Sequence, residues 1–387
     1  MRRLFVLVAA MVLVDTMFFA ALVPLLPEYS ADLGLSKAAA GILSASYAAG
    51  GVAGSLPGAW LASRAGVRPT VLTGLGLMGA SVLIFAWADD ILLLDAARFV
   101  QGIGGACMWI GGLAWLISAA PAERRGELIG AALAAAIFGF LLGPVLGGAA
   151  SVLGPEPIFS SVTVLALMLG ILALRMDPPE ATPFPGWAKL RRAASARAVV
   201  AGVWLVVLPS IFSGVIAVLG PLRLEELGAS AIFIGAVFLV SALLEGAASP
   251  LFGRLSDRRG RLWPIRIGLL AAAVAAATLP LPQAILLFGG VVVLAELSLG
   301  LCWTPAMAML SDAAERLGVG QWFAFTLVNL AWGGGQVIGS SGGGGLADVT
   351  SDAVPFLCAA GLLALTGAFL FVAGRSSPVA AGVPVQQ

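Results

Sequence analysis

The chain has 387 residues, of which 60% are hydrophobic and only 11% charged, and its mean hydropathy is +1.03. Average soluble domains carry roughly 25% charged residues, so a water-soluble fold is excluded and a lipid-embedded one is expected. The net charge of +1 offers nothing to a nucleic acid, and the absence of histidine removes imidazole acid–base chemistry, haem ligation by His and the common zinc sites.

A bilayer-crossing helix needs roughly 20 apolar residues. Breaks at charged, proline and glycine clusters leave twelve such segments, at about 4–26, 38–62, 68–88, 91–118, 127–151 and 157–175, then 198–222, 231–252, 263–280, 283–310, 319–346 and 353–374. Met1-Arg2-Arg3 could open a signal peptide, but the run behind it holds Asp15 and ends in Pro24-x-x-Pro27 instead of a small-residue cleavage site. Asp15 in span one is a functional candidate because a carboxylate in mid-membrane is costly. Span two carries Tyr47, whose hydroxyl must find a partner. Span four opens with Arg98-x-x-Gln101-Gly102-x-Gly104 and also holds Trp109. Arg98 needs a partner or a wet cavity. Two partners are open to it: Asp95, one turn earlier on the same face, and Asp15, which helix rise puts within ~6 Å of it in depth.

Span five reads Gly139-x-x-x-Gly143-Pro144-x-x-Gly147-Gly148. Small residues at this spacing make a flat face for close packing, and proline bends the helix. The stretch 177–197 begins Pro-rich and ends basic, and reads as a linker between residues 1–176 and 198–376, with 377–387 as a disordered tail. Spans eight and ten carry Glu245 and Glu296. Helix rise places the two acids at similar depth, ~20 Å from the ends of their spans. Phe19, Asn329 and Trp332 are further candidate cavity liners. Cys107, Cys302 and Cys358 sit in apolar runs without metal spacing and read as packing thiols.

The halves repeat one another. Leu33-Gly34-x-Ser36 followed by Gly41 returns 194 residues later as Leu227-Gly228-x-Ser230 followed by Gly235. At the same offset, the loop Ala59-x-x-x-Ser63-Arg64-x-Gly66 returns as Gly253-x-x-x-Asp257-Arg258-x-Gly260-Arg261. Such duplication in an apolar chain is the mark of a transporter with its site between two bundles. Sorting the 21 Lys and Arg residues with both termini in the cytoplasm puts 18 on that side, Lys37 and Arg223 outside, and Arg98 within a span.

These motifs, in this order, resemble the major facilitator superfamily and, within it, the twelve-span drug–proton antiporters. The resemblance covers nearly the whole chain. It implies an all-α membrane protein of twelve helices in two pseudo-symmetric six-helix bundles. In that family the loop at Gly253, Asp257, Arg258, Gly260 and Arg261, with its copy at Arg64 and Gly66, is a cytoplasmic latch. Ser63 stands where the family has Asp, so the first copy lacks its charge. The resemblance assigns proton coupling to Arg98 and an antiporter signature to Gly139, Gly143, Pro144, Gly147 and Gly148, on a helix expected to meet span eight. It likens Asp15 to the acid of drug and vesicular-amine antiporters.

The expectation is therefore a proton-coupled exporter of small lipophilic cationic or neutral compounds in the cytoplasmic membrane, acting as a monomer. Asp15, Arg98, Glu245 and Glu296 would carry coupling. Asp15, Phe19, Tyr47, Gln101, Trp109, Glu296, Asn329 and Trp332 would line the cavity. The expected partners are a small-molecule cargo, protons and the bilayer, with no cofactor, metal or nucleic acid. A specific sugar or amino-acid transporter and a transport-inactive sensor or scaffold remain alternatives. An enzyme is disfavoured because no Ser or Cys nucleophile lies beside a base.

Overall fold

The computed structural model describes residues 1–121, 125–179, 187–318 and 321–375. Among these residues all regular structure is helical. The first half contributes α1 (Arg2–Asp32), α2 (Lys37–Ala65), α3 (Val67–Ala86), α4 (Ile91–Ala119), α5 (Arg125–Leu153) and α6 (Pro155–Leu174). A short helix α7 (Trp187–Ala194) follows. The second half contributes α8 (Arg197–Glu226), α9 (Ala231–Arg259), α10 (Leu262–Thr278) and α11 (Ile285–Arg316). It continues with α12 (Gln321–Val337), a π-helical turn (Ile338–Gly342), α13 (Gly343–Val349) and α14 (Ala353–Arg375).

Ten of these helices are long and apolar enough to cross a membrane. The 17-residue α10 and the continuous run from α12 through the π turn to α13 supply two further apolar crossings. Outward faces are greasy: Leu286 is 77% exposed and Leu365 71%. Such residues suit lipid, and a helix suits it because every backbone group is paired within the segment.

The linker expected over 177–197 contains α7, whose Ala193 is buried against Ala314 and Ala324. Residues 180–186 of that linker, and the tail expected over 377–387, lie outside the described residues. Cys107 and Cys302 are buried as packing thiols, whereas Cys358 is on the exposed side of α14.

The duplicated sequence folds into duplicated local structure. Gly34 and Gly228 take φ of 59° and 91°, and Gly66 and Gly260 take 91° and 81°, in turns where a side chain would be strained. Ser36 caps α2 through Ala39 N, and Ser230 caps α9 through Phe233 N, both at 3.3 Å. Packing repeats as well: α1 lies on α5 and α2 on α4, as α8 lies on α12 and α9 on α11.

The glycine face of α5 explains the first pairing. A Cβ on Gly139 would strike Leu13 O and Thr16 Oγ1, and one on Gly147 would strike Ala21 O. The matching glycines Gly335, Gly339 and Gly343 meet Val207, Ile211 and Val215 of α8 in the same manner. The expectation that span five meets span eight holds, since α5 packs on α9, but the motif glycines are not the face that does so. They pack within their own half, on α1. Other residues of α5 reach α9: a Cβ on Gly235 would stand 3.2 Å from Pro144 O, and one on Gly246 would stand 3.3 Å from Ile137 Cγ2. Gly148 packs against nothing within 4 Å.

The halves touch most extensively along two seams, α5 with α9 and α2 with the α12–α13 run, and α1 also meets α8 and α9. The second seam is tighter at the end opposite the termini. There a Cβ on Gly41 would strike Ser340 O and one on Gly344 would strike Lys37 O, as backbones approach in direct contact.

Candidate functional site

The buried charges of the first half gather where α1, α2 and α4 meet. Asp15 is fully buried. Its Oδ2 accepts from the Tyr47 hydroxyl at 2.8 Å and from Trp109 Nε1 at 3.0 Å. Its Oδ1 has no partner. Gly105 of α4 leaves the room: a Cβ there would lie 2.9 Å from both Asp15 Oδ1 and the Tyr47 hydroxyl.

Arg98 is equally sealed, at 1% exposure. It donates to Phe18 O and Phe19 O at 3.3 Å each and to Gln101 Oε1 at 3.0 Å. Its guanidinium lies over the rings of Tyr47, Phe19 and Phe18 at 5.4, 5.7 and 5.8 Å. Neither anticipated ion pair forms among the described residues. Asp15 accepts only from neutral donors, and only at Oδ2, and Asp95 accepts from Ser46 at 3.5 Å. The reason is reach. Tyr47 occupies the space between the two charges, so its hydroxyl meets Asp15 while its ring meets Arg98. Gln101, expected at the cavity wall, is instead buried behind Arg98 as its hydrogen-bond partner, and its Nε2 is unpartnered.

An aromatic stack continues from this cluster across the molecule. Phe19 packs on Tyr47 at 4.8 Å, on Phe140 of α5 at 5.7 Å and on Trp332 of α12 at 5.4 Å. Trp332 thus joins the first-half site from the second half. Asn329, one turn away on α12, is half-buried. Sequence reasoning missed Phe140 and Gly105. The first lay in an apolar run, and the second carries no side chain to notice.

The other two acids form a separate place. Glu245 of α9 and Glu296 of α11 are both half-buried. Glu245 lies against Gly300, one turn beyond Glu296, where a Cβ would be 2.8 Å from its Cγ. This pair belongs to the second half and does not join Asp15.

The loop of the second half is also resolved into contacts. Arg261 binds Asp257 at 2.8 Å and Asp312 of α11 at 3.5 Å. Arg258, expected in the latch, is exposed, and the cation that ties the loop to α11 is Arg261. Gly253 and Gly260 meet nothing within 4 Å, and Gly260 serves the turn. In the first copy, Ser63 donates to Trp60 O in its own helix, while Arg64 stacks on Trp60 at 5.5 Å.

Long apolar helices in two repeat-related sets, enclosing charges that no lipid would tolerate, define a multi-pass all-α membrane protein with a buried polar site. The chain belongs to the Major Facilitator Superfamily, whose family model matches residues 8–321 and 204–386. That family consists of transporters rather than enzymes. Among relatives, the MFS-type transporter ppzB of Metarhizium rileyi is 34% identical over 142 residues, covering 36% of this chain and 29% of that one. The vesicular acetylcholine transporter of Homo sapiens is 43% identical over 79 residues, covering 20% and 15%. The quinolone resistance protein NorA of Staphylococcus aureus is 28% identical over 163 residues, covering 41% and 42%. The matched stretches thus span less than half of each relative's length. The fold is shared with an inward-facing bacterial homologue of the human lysosomal transporter Spinster, at TM-score 0.75, 15% identity and 97% and 98% coverage. It is also shared with the Escherichia coli xylose transporter XylE, at TM-score 0.72, 17% identity and 99% and 98% coverage.

Proposed function

We propose that the chain is a proton-coupled secondary transporter that exports small lipophilic compounds, cationic or neutral, by alternating access. The observation that carries this reading is the Asp15 carboxyl, fully buried with one oxygen held by Tyr47 and Trp109 and the other unpartnered. A buried carboxylate oxygen without a partner is costly. A proton on it removes the charge, and a cation beside it neutralises the charge. A group that either can satisfy is what exchange of protons against cargo requires. The Phe19, Phe140 and Trp332 rings offer flat apolar faces beside it. Two relatives bear names that point to quinolones and to acetylcholine, which favours an amphiphilic or cationic cargo.

In this reading Glu296 and Glu245 are secondary acids on the proton route, and Arg98 sets the field around Asp15. The protein is a monomer in the cytoplasmic membrane, with both termini and the 177–197 linker on the cytoplasmic side. A Gly186→Cys variant labelled by an impermeant maleimide from outside intact cells would reverse that orientation. The functional test is proton flux and cargo flux measured together in reconstituted vesicles, with a quaternary-amine dye as cargo. Asp15→Asn should abolish proton-driven efflux and leave dye–dye exchange partly intact. Wild-type stoichiometry in Asp15→Asn would move the role to Glu296. Wild-type stoichiometry in the neutral variants of all three acids would end the proton-antiport reading.

A further inference from the structure

We infer that Lys37 is an electrostatic lock that holds the two halves closed at the end opposite the termini, and that opening there parts the α2–α13 seam. Lys37 opens α2, in the first half, and every acid it meets belongs to the second. Its Nζ lies 2.7 and 2.8 Å from the two carboxylate oxygens of Asp352 and 3.1 Å from Glu226 Oε1. Its backbone N–H donates to Asp348 Oδ1 at 3.3 Å. Arg223 steadies the far side, binding Glu226 Oε2 at 2.9 Å and Gln283 at 3.0 Å. One residue thus gathers the ends of α8 and α13 and the start of α14 onto α2, the ammonium holding Glu226 and Asp352 and the backbone N–H holding Asp348.

The duplicated chain supplies its own control. The position matching Lys37, 194 residues on, is Ala231. Ala231 has no charge with which to bridge α9 to the first half at the related seam. The backbone contacts differ in the same sense. Gly41 and Gly344 pack directly on Ser340 O and Lys37 O. Their counterparts are looser: Gly235 would hold a Cβ at 3.2 Å from Pro144 O, and Gly148 has nothing within 4 Å. The tighter seam is therefore the charged one. It is also the seam that salt can reach, because Lys37, Arg223, Asp348 and Asp352 border an open cavity of about 660 Å³.

This inference rests on the alternating-access part of the proposed function and not on proton coupling. The test is the distance distribution between spin labels at Ala31→Cys and Leu281→Cys, both exposed at that end, in a background lacking Cys107, Cys302 and Cys358. Lys37→Met should raise the ratio of the longer to the shorter distance about fivefold, the range of a few partly exposed ion pairs. The reversed pair Lys37→Asp with Asp352→Lys should restore the shorter distance. Raising salt should lengthen the wild type and leave Lys37→Met unmoved. Two populations in the wild type that Lys37→Met does not shift would overturn the lock alone. A reversed pair that stays open, or a salt response equal in both proteins, would overturn it too. A single distance shared by wild type and variant would overturn both the lock and alternating access.

Discussion

Tyr47 donates its hydroxyl hydrogen to Asp15 Oδ2 at 2.8 Å across the α1–α2 boundary, so a fully buried acid is held by a phenol. Tyr47→Phe deletes that donor and leaves Trp109 as the sole support of the carboxylate. A hydrogen bond to a charged group contributes ~1.5 kcal/mol or more. The coupled proton and cargo flux should therefore fall about tenfold, while the protein stays folded by size-exclusion chromatography. Wild-type coupled flux in Tyr47→Phe would remove the phenol from the mechanism.

Asp15 and Arg98 should be energetically less coupled than Asp15 and Tyr47. A double-mutant cycle of Asp15→Asn with Arg98→Gln, read by thermal unfolding in detergent, should give an interaction of about 0.5 kcal/mol or less, whereas the Tyr47 cycle should exceed about 1 kcal/mol. Equal couplings would mean that the two charges pair directly in solution.

Arg98→Lys should not rescue Arg98→Gln. Arg98 reaches Phe18 O, Phe19 O and Gln101 Oε1 from two separate nitrogens. An ammonium is a point donor and cannot span that set. Both variants should melt earlier than wild type by several degrees, corresponding to about 2 kcal/mol for unmade buried hydrogen bonds. A wild-type melting temperature in Arg98→Lys would show that charge alone suffices.

Neighbouring glycines of one motif should behave oppositely. Gly147→Ala drives a Cβ into Ala21 O and to 2.6 Å from Pro24 Cγ, whereas Gly148→Ala meets nothing. Overpacking costs about 1–3 kcal/mol, so the first should lower the yield of folded protein and its melting temperature, and the second should change neither. Equal tolerance of both would show that α5 does not pack on α1 as described.

Ser63→Asp should not reproduce the second-half loop. Asp257 finds Arg261 four residues on, but the matching first-half position is Val67, buried at 7% exposure. The new carboxylate gains no cation at that position, and the spin-label distribution should stay as in wild type. Arg261→Gln, by contrast, releases both Asp257 and Asp312 and should shift it.

Much of this was legible in the sequence, for identifiable reasons. Period, length and duplication located the spans, because lipid leaves the backbone only one way to satisfy itself. The stretches repeated at that offset end in serines, Ser36 and Ser230, that the structure shows capping α2 and α9. The buried candidates Asp15, Tyr47, Trp109 and Arg98 do come together, since each is too polar to face lipid. What the sequence could not show is who binds whom. The geometry of Tyr47 between Asp15 and Arg98 depends on helix rotation, which depth arithmetic ignores. The facing of the Gly139–Gly147 ridge depends on which neighbour offers a smooth surface, and α1 does. The bound partners of Lys37 come from three segments more than 180 residues away.

Gly51 and Gly102 let α2 and α4 touch backbone to backbone: a Cβ on Gly102 would meet Tyr47 O and Gly51 N. The residues 194 positions further on are Glu245 and Glu296. The first copy of this junction is welded shut, and the second carries two acids in place of its weld. The two copies of one crossing thus hold different things, a direct backbone contact in the first half and two carboxyl side chains in the second. At this crossing one glycine hydrogen on each helix of the first copy corresponds to a glutamate side chain in the second.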